Sequence, residues 1–105
     1  METLMEMAQR RLQGNAFNHH NHIVLESIKP DRAVFRLTIQ AESLNAYGLV
    51  HGGAIFTLAD NAAGVAAFTD GKFYVTQTTS LNFFRNQATG DVRAVAYVRH
   101  RRDTS

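Results

Sequence analysis

The segment from Gly53 to Thr69 constrains the fold more than any other part of this chain. It is rich in strong helix formers and apolar nearly all round, with Asp60 and Asn61 in its middle and Asp70-Gly71 to end it. A helix without a polar face has no side to show to water, so it belongs in a core and needs cover. The sequence predicts that a sheet supplies it. His22 to Ile28 is strand-like, Lys29-Pro30-Asp31-Arg32 supplies turn chemistry, and Ala33 to Ile39 alternates with period two, which together read as a hairpin. Two more strands, Phe73 to Phe84 and Asp91 to His100, follow the helix and are joined through Asn86-Gln87-Ala88-Thr89-Gly90. A short amphipathic helix over residues 2 to 12, with Leu4, Met5, Ala8 and Leu12 near one face, opens the chain and stops near Gly14-Asn15. The expected class is α+β, an antiparallel sheet wrapped around a central helix.

At 105 residues the chain suits one domain, taken as 1–105. It has no cysteine, hence no disulfide, no thiolate metal site and no cysteine nucleophile. The first residues carry acids, with no basic region before an apolar run, which speaks against a signal peptide. The longest nearly uncharged stretch, Ser43 to Thr69, is broken by His51, two glycines and Asp60 and does not read as a membrane helix, so a cytoplasmic location is expected. Much of the basic excess behind the net charge of +2 gathers at Arg93, Arg99, His100, Arg101 and Arg102. Such a run can face nucleic acid, the phosphates of a small ligand, or solvent; no nucleic-acid motif accompanies it, and no nucleic-acid partner is expected.

Asp60 is the anomaly. It sits among Leu58, Ala59, Ala62 and Ala63, with no lysine or arginine from Leu37 to Gly71. A buried carboxylate needs a partner, a raised pKa or a task, although a solvent-facing acid bonded to nearby hydroxyls is the plain alternative. The second feature is His51-Gly52-Gly53 at the helix start, where open backbone N–H groups favour developing negative charge and glycines permit close approach. Taken alone, the triplet is equally an ordinary tight turn. Gly52 and Asp60 are eight residues apart, roughly 12 Å along a helix at 1.5 Å per residue. That is too far for both to touch one reacting carbonyl. If both act, they come from two subunits whose helices meet antiparallel across a two-fold axis, so the reading as an enzyme is also a reading as a homodimer or homotetramer.

The segment Leu44-Asn45-Ala46-Tyr47-Gly48-Leu49-Val50-His51-Gly52-Gly53 running on to Leu58-Ala59-Asp60 resembles the signature of hotdog-fold acyl-CoA thioesterases of the phenylacetate-degradation type. Ser80-Leu81-Asn82-Phe83-Phe84-Arg85 resembles the strand leading to that family's Leu-Arg-Pro, with Asn86 in place of the proline, and the likeness covers about residues 15 to 103. The resemblance implies hydrolysis of small, medium or aryl-acetyl CoA thioesters, without metal or redox cofactor. It casts Asp60 as general base or nucleophile, and the Gly52 N–H with the Asn45 side chain as holders of the thioester oxygen. His51 would shape the site and Gly53 would let substrate approach. Thr76, or Thr78 in its stead, would orient water. It also implies a sheet short of the family's usual C-terminal strands, since the chain stops at Ser105.

Arg85, Arg99 and Arg101 could pair with coenzyme A phosphates, and Leu49, Val50, Phe56 and Phe83 could line an acyl pocket, with solvated surface and core packing as the default readings. His20 and His22 would share one face of a strand at a zinc-compatible spacing, but no third ligand accompanies them, and an exposed polar loop is preferred. Ser27, Ser43 and Ser80 lie in no nucleophile-elbow pattern. Two rivals remain. A hotdog dehydratase or hydratase would pair a histidine with an acid in a proline-bearing motif absent around His51, and a non-catalytic acyl-CoA-binding module sits poorly with an intact Asp60.

Overall fold

The computed structural model describes residues 1–72 and 88–100. The expected strand from Phe73 to Phe84, with Thr76, Thr78 and Phe83, lies outside those residues, as do Arg85, Arg101 and Arg102.

Helix α1 spans Leu4–Leu12 and begins two residues later than the periodicity suggests, because Thr3 caps it. The Thr3 hydroxyl accepts from the Glu6 N–H at 3.1 Å and the Glu6 carboxylate accepts from the Thr3 N–H at 3.0 Å, a reciprocal box that satisfies two donors at the helix start. The expected polar loop that follows is partly a second helix, α2, over Ala16–His20. The Asn15 side chain caps it by accepting from the Asn18 N–H at 3.0 Å.

Strands β1 (Ile23–Lys29) and β2 (Arg32–Thr38) form the expected hairpin. Proline presets the first central turn residue and Asp31 takes the second at φ 63, a position aspartate tolerates because its short side chain can bond locally. Strand β3 (Asp91–Tyr97) pairs antiparallel with β2, giving the order β1-β2-β3. One irregularity keeps the hairpin's apolar face intact. Ile23 and Leu25 point inward opposite Leu37 and Phe35, but the next apolar residue, Ile28, is an odd number of positions further on. A bulge at Glu26 absorbs the extra residue, so Ile28 falls inward opposite Ala33.

Helix α3 spans Gly52–Phe68 and lies on the inner face of β2 and β3. Leu58, Ala62 and Ala66, four residues apart, are buried against Phe35, Leu37 and Ala33. Its far end is held twice: the Thr69 hydroxyl accepts from the Asp31 N–H at 2.8 Å, and the Arg11 guanidinium lies 4.2 Å from the Phe68 ring centre. The sheet lies against α3 as expected, and the strand expected to extend it falls outside the described residues. Gly53, Phe56, Ala63 and Gly64, at helical spacing on the other side of α3, are exposed. The three described strands cover one face of the helix only.

Candidate active site

The loop before α3 is closed on itself. Leu44 and Val50 bridge across its base, the His51 N–H donates to the Ser43 carbonyl at 2.8 Å, and Val50 is fully buried. Inside it Asn45 acts as the organiser. Its Oδ1 accepts from the N–H groups of Tyr47 at 2.9 Å and Leu49 at 3.2 Å, and its own N–H donates to the Leu49 carbonyl at 2.7 Å. Gly48 at φ 76 allows the reversal between them. With Oδ1 fixed by two backbone donors, the Asn45 Nδ2 faces away from them and has no acceptor among the described residues.

The loop delivers His51 as the N-cap of α3. Its Nδ1 accepts from the Gly53 N–H at 2.9 Å, while its carbonyl accepts from the N–H groups of Ala54 and Ile55. A Cβ on Gly53 would lie 3.1 Å from that ring nitrogen, so the missing side chain makes room for the imidazole. Gly53, expected to let substrate approach, has its amide already engaged by the histidine. The consequence falls on Gly52. As the first helical residue it keeps an N–H with no hydrogen-bond partner among the described residues, at the positive end of a 17-residue helix.

Asp60 stands two turns further along α3, on the face that also carries Phe56, Ala63 and Gly64. It is half-buried, so the full enclosure suggested by its apolar neighbours is not found. Gly52 and Asp60 do share one continuous helix, which keeps them roughly 12 Å apart within a chain. Of the apolar residues weighed for a pocket, Val50 belongs to the core, whereas Leu49 and Phe56 are about two-fifths exposed and Tyr47 is open to solvent.

Residues that carry no obvious signal alone complete the arrangement. The Thr57 hydroxyl donates to the Gly53 carbonyl at 2.9 Å, and the Asn61 Nδ2 donates to the Thr57 carbonyl at 2.9 Å. Asn61 also exchanges two hydrogen bonds with Asn18 of α2, at 3.0 and 2.9 Å, and Asn18 is buried. The available signal was a polar Asn61 beside Asp60 in an otherwise apolar helix; its partner, 43 residues earlier, left none.

The histidine run is not the strand pair weighed for zinc. His20 ends α2, and His22 precedes β1 at φ 58 with its Nε2 2.9 Å from the Glu42 carboxylate. That hydrogen bond, and then Glu42's own backbone N–H, hold the exposed Glu42 carboxyl below the usual carboxylate range. Among the described residues no three histidine or acidic side chains gather as metal ligands, and no helix is long and apolar enough to cross a membrane. Arg93, counted with the basic run, is paired with Glu26 at 2.9 Å.

The family model for the thioesterase superfamily matches residues 47–105. The acyl-coenzyme A thioesterase PaaI of Escherichia coli K12 is 38% identical over 69 residues, covering 65% of this chain and 49% of that protein. Across curated relatives the chain spans just under half of their length, 49% and 42% for the two matched. Among solved structures, the E. coli PaaI protein from the phenylacetic acid degradation operon superposes with a TM-score of 0.87 at 29% identity, over 93% of this chain and 72% of that one. The conserved protein PA5202 of Pseudomonas aeruginosa gives a TM-score of 0.82 at 32% identity, over 88% and 76%. An antiparallel sheet laid against one long helix, matched in this way by sequence and by structure, places the chain in the thioesterase superfamily with the hotdog fold.

Proposed function

We propose that this protein hydrolyses acyl-CoA thioesters of small, medium or aryl-acetyl acids. The observation that carries the reading is the Gly52 N–H, which has no partner among the described residues at the start of α3, where a histidine caps the next amide. An N–H so placed suits the oxygen of a thioester as it gains charge, and the Asn45 Nδ2, oriented by the two bonds to its Oδ1, supplies a second donor. Asp60 of a second subunit takes a proton from water while the water oxygen bonds to the thioester carbon. The tetrahedral oxyanion rests on the two donors, the C–S bond breaks, and the proton returns to the departing coenzyme A thiolate. Direct attack by the carboxylate through an anhydride uses the same groups. The resemblance gives Thr76, or Thr78, the task of orienting the water, and the basic character of Arg85 suits the coenzyme A phosphates.

The two-subunit site follows from the roughly 12 Å between Gly52 and Asp60. It also accounts for the open face of α3. Ala63 and Gly64 are small enough to let a second helix come close, and Leu49 and Phe56 lie exposed near the same helix.

The test is thiol release from a panel of acyl-CoA esters by the native chain and by Asp60→Asn. A fall of about 10²–10⁴-fold in turnover in a variant that still melts cooperatively is expected, the range that one positioned proton-transfer group contributes. Saturable acyl-CoA binding with no thiol release from the native chain would sink the catalytic reading and leave a binding module.

A further inference from the structure

The amide pair between α2 and α3, of a buried Asn18 with a half-buried Asn61, has no part in the chemistry above. We propose that Asn18 and Asn61 are positioning residues that set the direction in which Asp60 points, an inference that rests on the thioesterase reading. Asn18 is 5% exposed, and the two side chains bond reciprocally at 3.0 and 2.9 Å, each oxygen accepting and each NH₂ donating. The second Asn61 hydrogen goes to the Thr57 carbonyl at 2.9 Å, so this amide is tied to its own helix and to its neighbour at once.

The need for such a device lies in the surface of α3. Around Asp60 the helix carries Ala59, Ala62, Ala63, Gly64, Ala66 and Ala67, and only Leu58 offers a large buried side chain nearby. Apolar burial has no direction, and a cylinder of methyl groups loses little when it turns a few degrees about its axis. A side-chain tip sits about 5–6 Å from a helix axis, so a turn of about 20° carries a carboxylate roughly 2 Å. Misplacement by 1 Å can remove about 10²-fold in rate. Hydrogen bonds between planar amides are directional and oppose that turn. Among the described residues, the Thr69 hydroxyl with the Asp31 N–H also anchors α3, but more than two turns away, whereas Asn61 is the residue next to Asp60.

Single truncation does not isolate the role, since it strands a buried amide. The informative variant is the double replacement Asn18→Leu with Asn61→Leu, which removes both polar groups while filling their space. It is measured for melting, for kcat and KM on the best acyl-CoA ester, and for the ¹³C titration of the Asp60 carboxyl. The expected result is a cooperative melt near the native one, KM within about twofold, kcat lowered about tenfold or more, and a displaced carboxyl titration. Native kcat and native titration in the folded double variant overturn the proposal. If the native chain releases no thiol at all, the catalytic reading falls, and the titration alone decides whether the pair controls the carboxyl. Should the double variant not melt cooperatively, the smaller double replacement Asn18→Ala with Asn61→Ala, which also strands no amide, is read by the same kcat, KM and titration, with the same outcomes.

Discussion

His51 occupies a helix position usually given to a small hydroxyl or amide side chain, and its choice of donor decides what Gly52 can do. A cap that bonded the first amide would close the candidate oxyanion site, whereas Nδ1 takes the second, at Gly53. This makes Gly52→Pro a probe of that amide. Proline is favoured at the first helical position, and the preceding residue must be extended, which His51 is at φ −62 and ψ 132. The substitution deletes one N–H and adds ring carbons, so Gly52→Ala, which adds a Cβ but keeps the amide, is measured beside it as the control. Stability is expected to hold, or to rise by up to about 1 kcal/mol through the stiffer unfolded chain. Thiol release is expected to fall by about 10²–10³-fold, the usual effect of losing one oxyanion donor. Stable protein with native turnover would remove Gly52 from the mechanism. The architecture of the Asn45-to-Asp60 segment was legible before any fold because it is local: a loop, a cap and a helix within 16 consecutive residues. The state of each amide within it was not, since which N–H the histidine takes depends on ring orientation.

Among elements, the hairpin was readable because period two and the Lys29-Pro30-Asp31-Arg32 turn agree, and its observed ends differ by a residue or so. Helix α2 was not, because Asn18 is buried through a partner in α3 and the local run Asn18-His19-His20-Asn21-His22 looks like exposed loop. Which face of α3 the described strands cover was not readable for a related reason: composition shows an apolar helix, but only contacts tell which face has a neighbour. The bulge at Glu26 also has a consequence on the outer face of the sheet. Arg36 and Arg93 are direct cross-strand partners, and the Glu26 carboxylate bonds both, at 3.2 and 2.9 Å. Glu26→Gln leaves two like charges opposed, which is expected to lower stability by about 1 kcal/mol in dilute buffer. The loss should shrink toward zero near 1 M salt, where the Debye length is about 3 Å. Urea melts at both ionic strengths check this; an equal loss in each would assign the effect to packing.

For the whole molecule, the spacing of the site along one helix turns assembly into part of the chemistry. Each α3 offers an amide at its start and a carboxylate two turns on, and the proposed antiparallel pairing sets each amide against the other chain's carboxylate. Two crippled chains should therefore rescue one another. In a heterodimer of Asp60→Asn with Gly52→Pro, one site combines the intact loop of the first chain with the intact carboxylate of the second, and the other site holds both defects. Random pairing of equal amounts makes half the dimers mixed, each with one working site of two, so the mixture should recover about a quarter of native activity after the chains are unfolded and refolded together. Refolded apart and then combined without exchange, the same chains should stay inactive. Equal, negligible activity in both preparations, from dimers shown to have exchanged, would mean that amide and carboxylate do not meet across the interface. The reaction would then have to be built within one chain, where roughly 12 Å of helix separates the two groups.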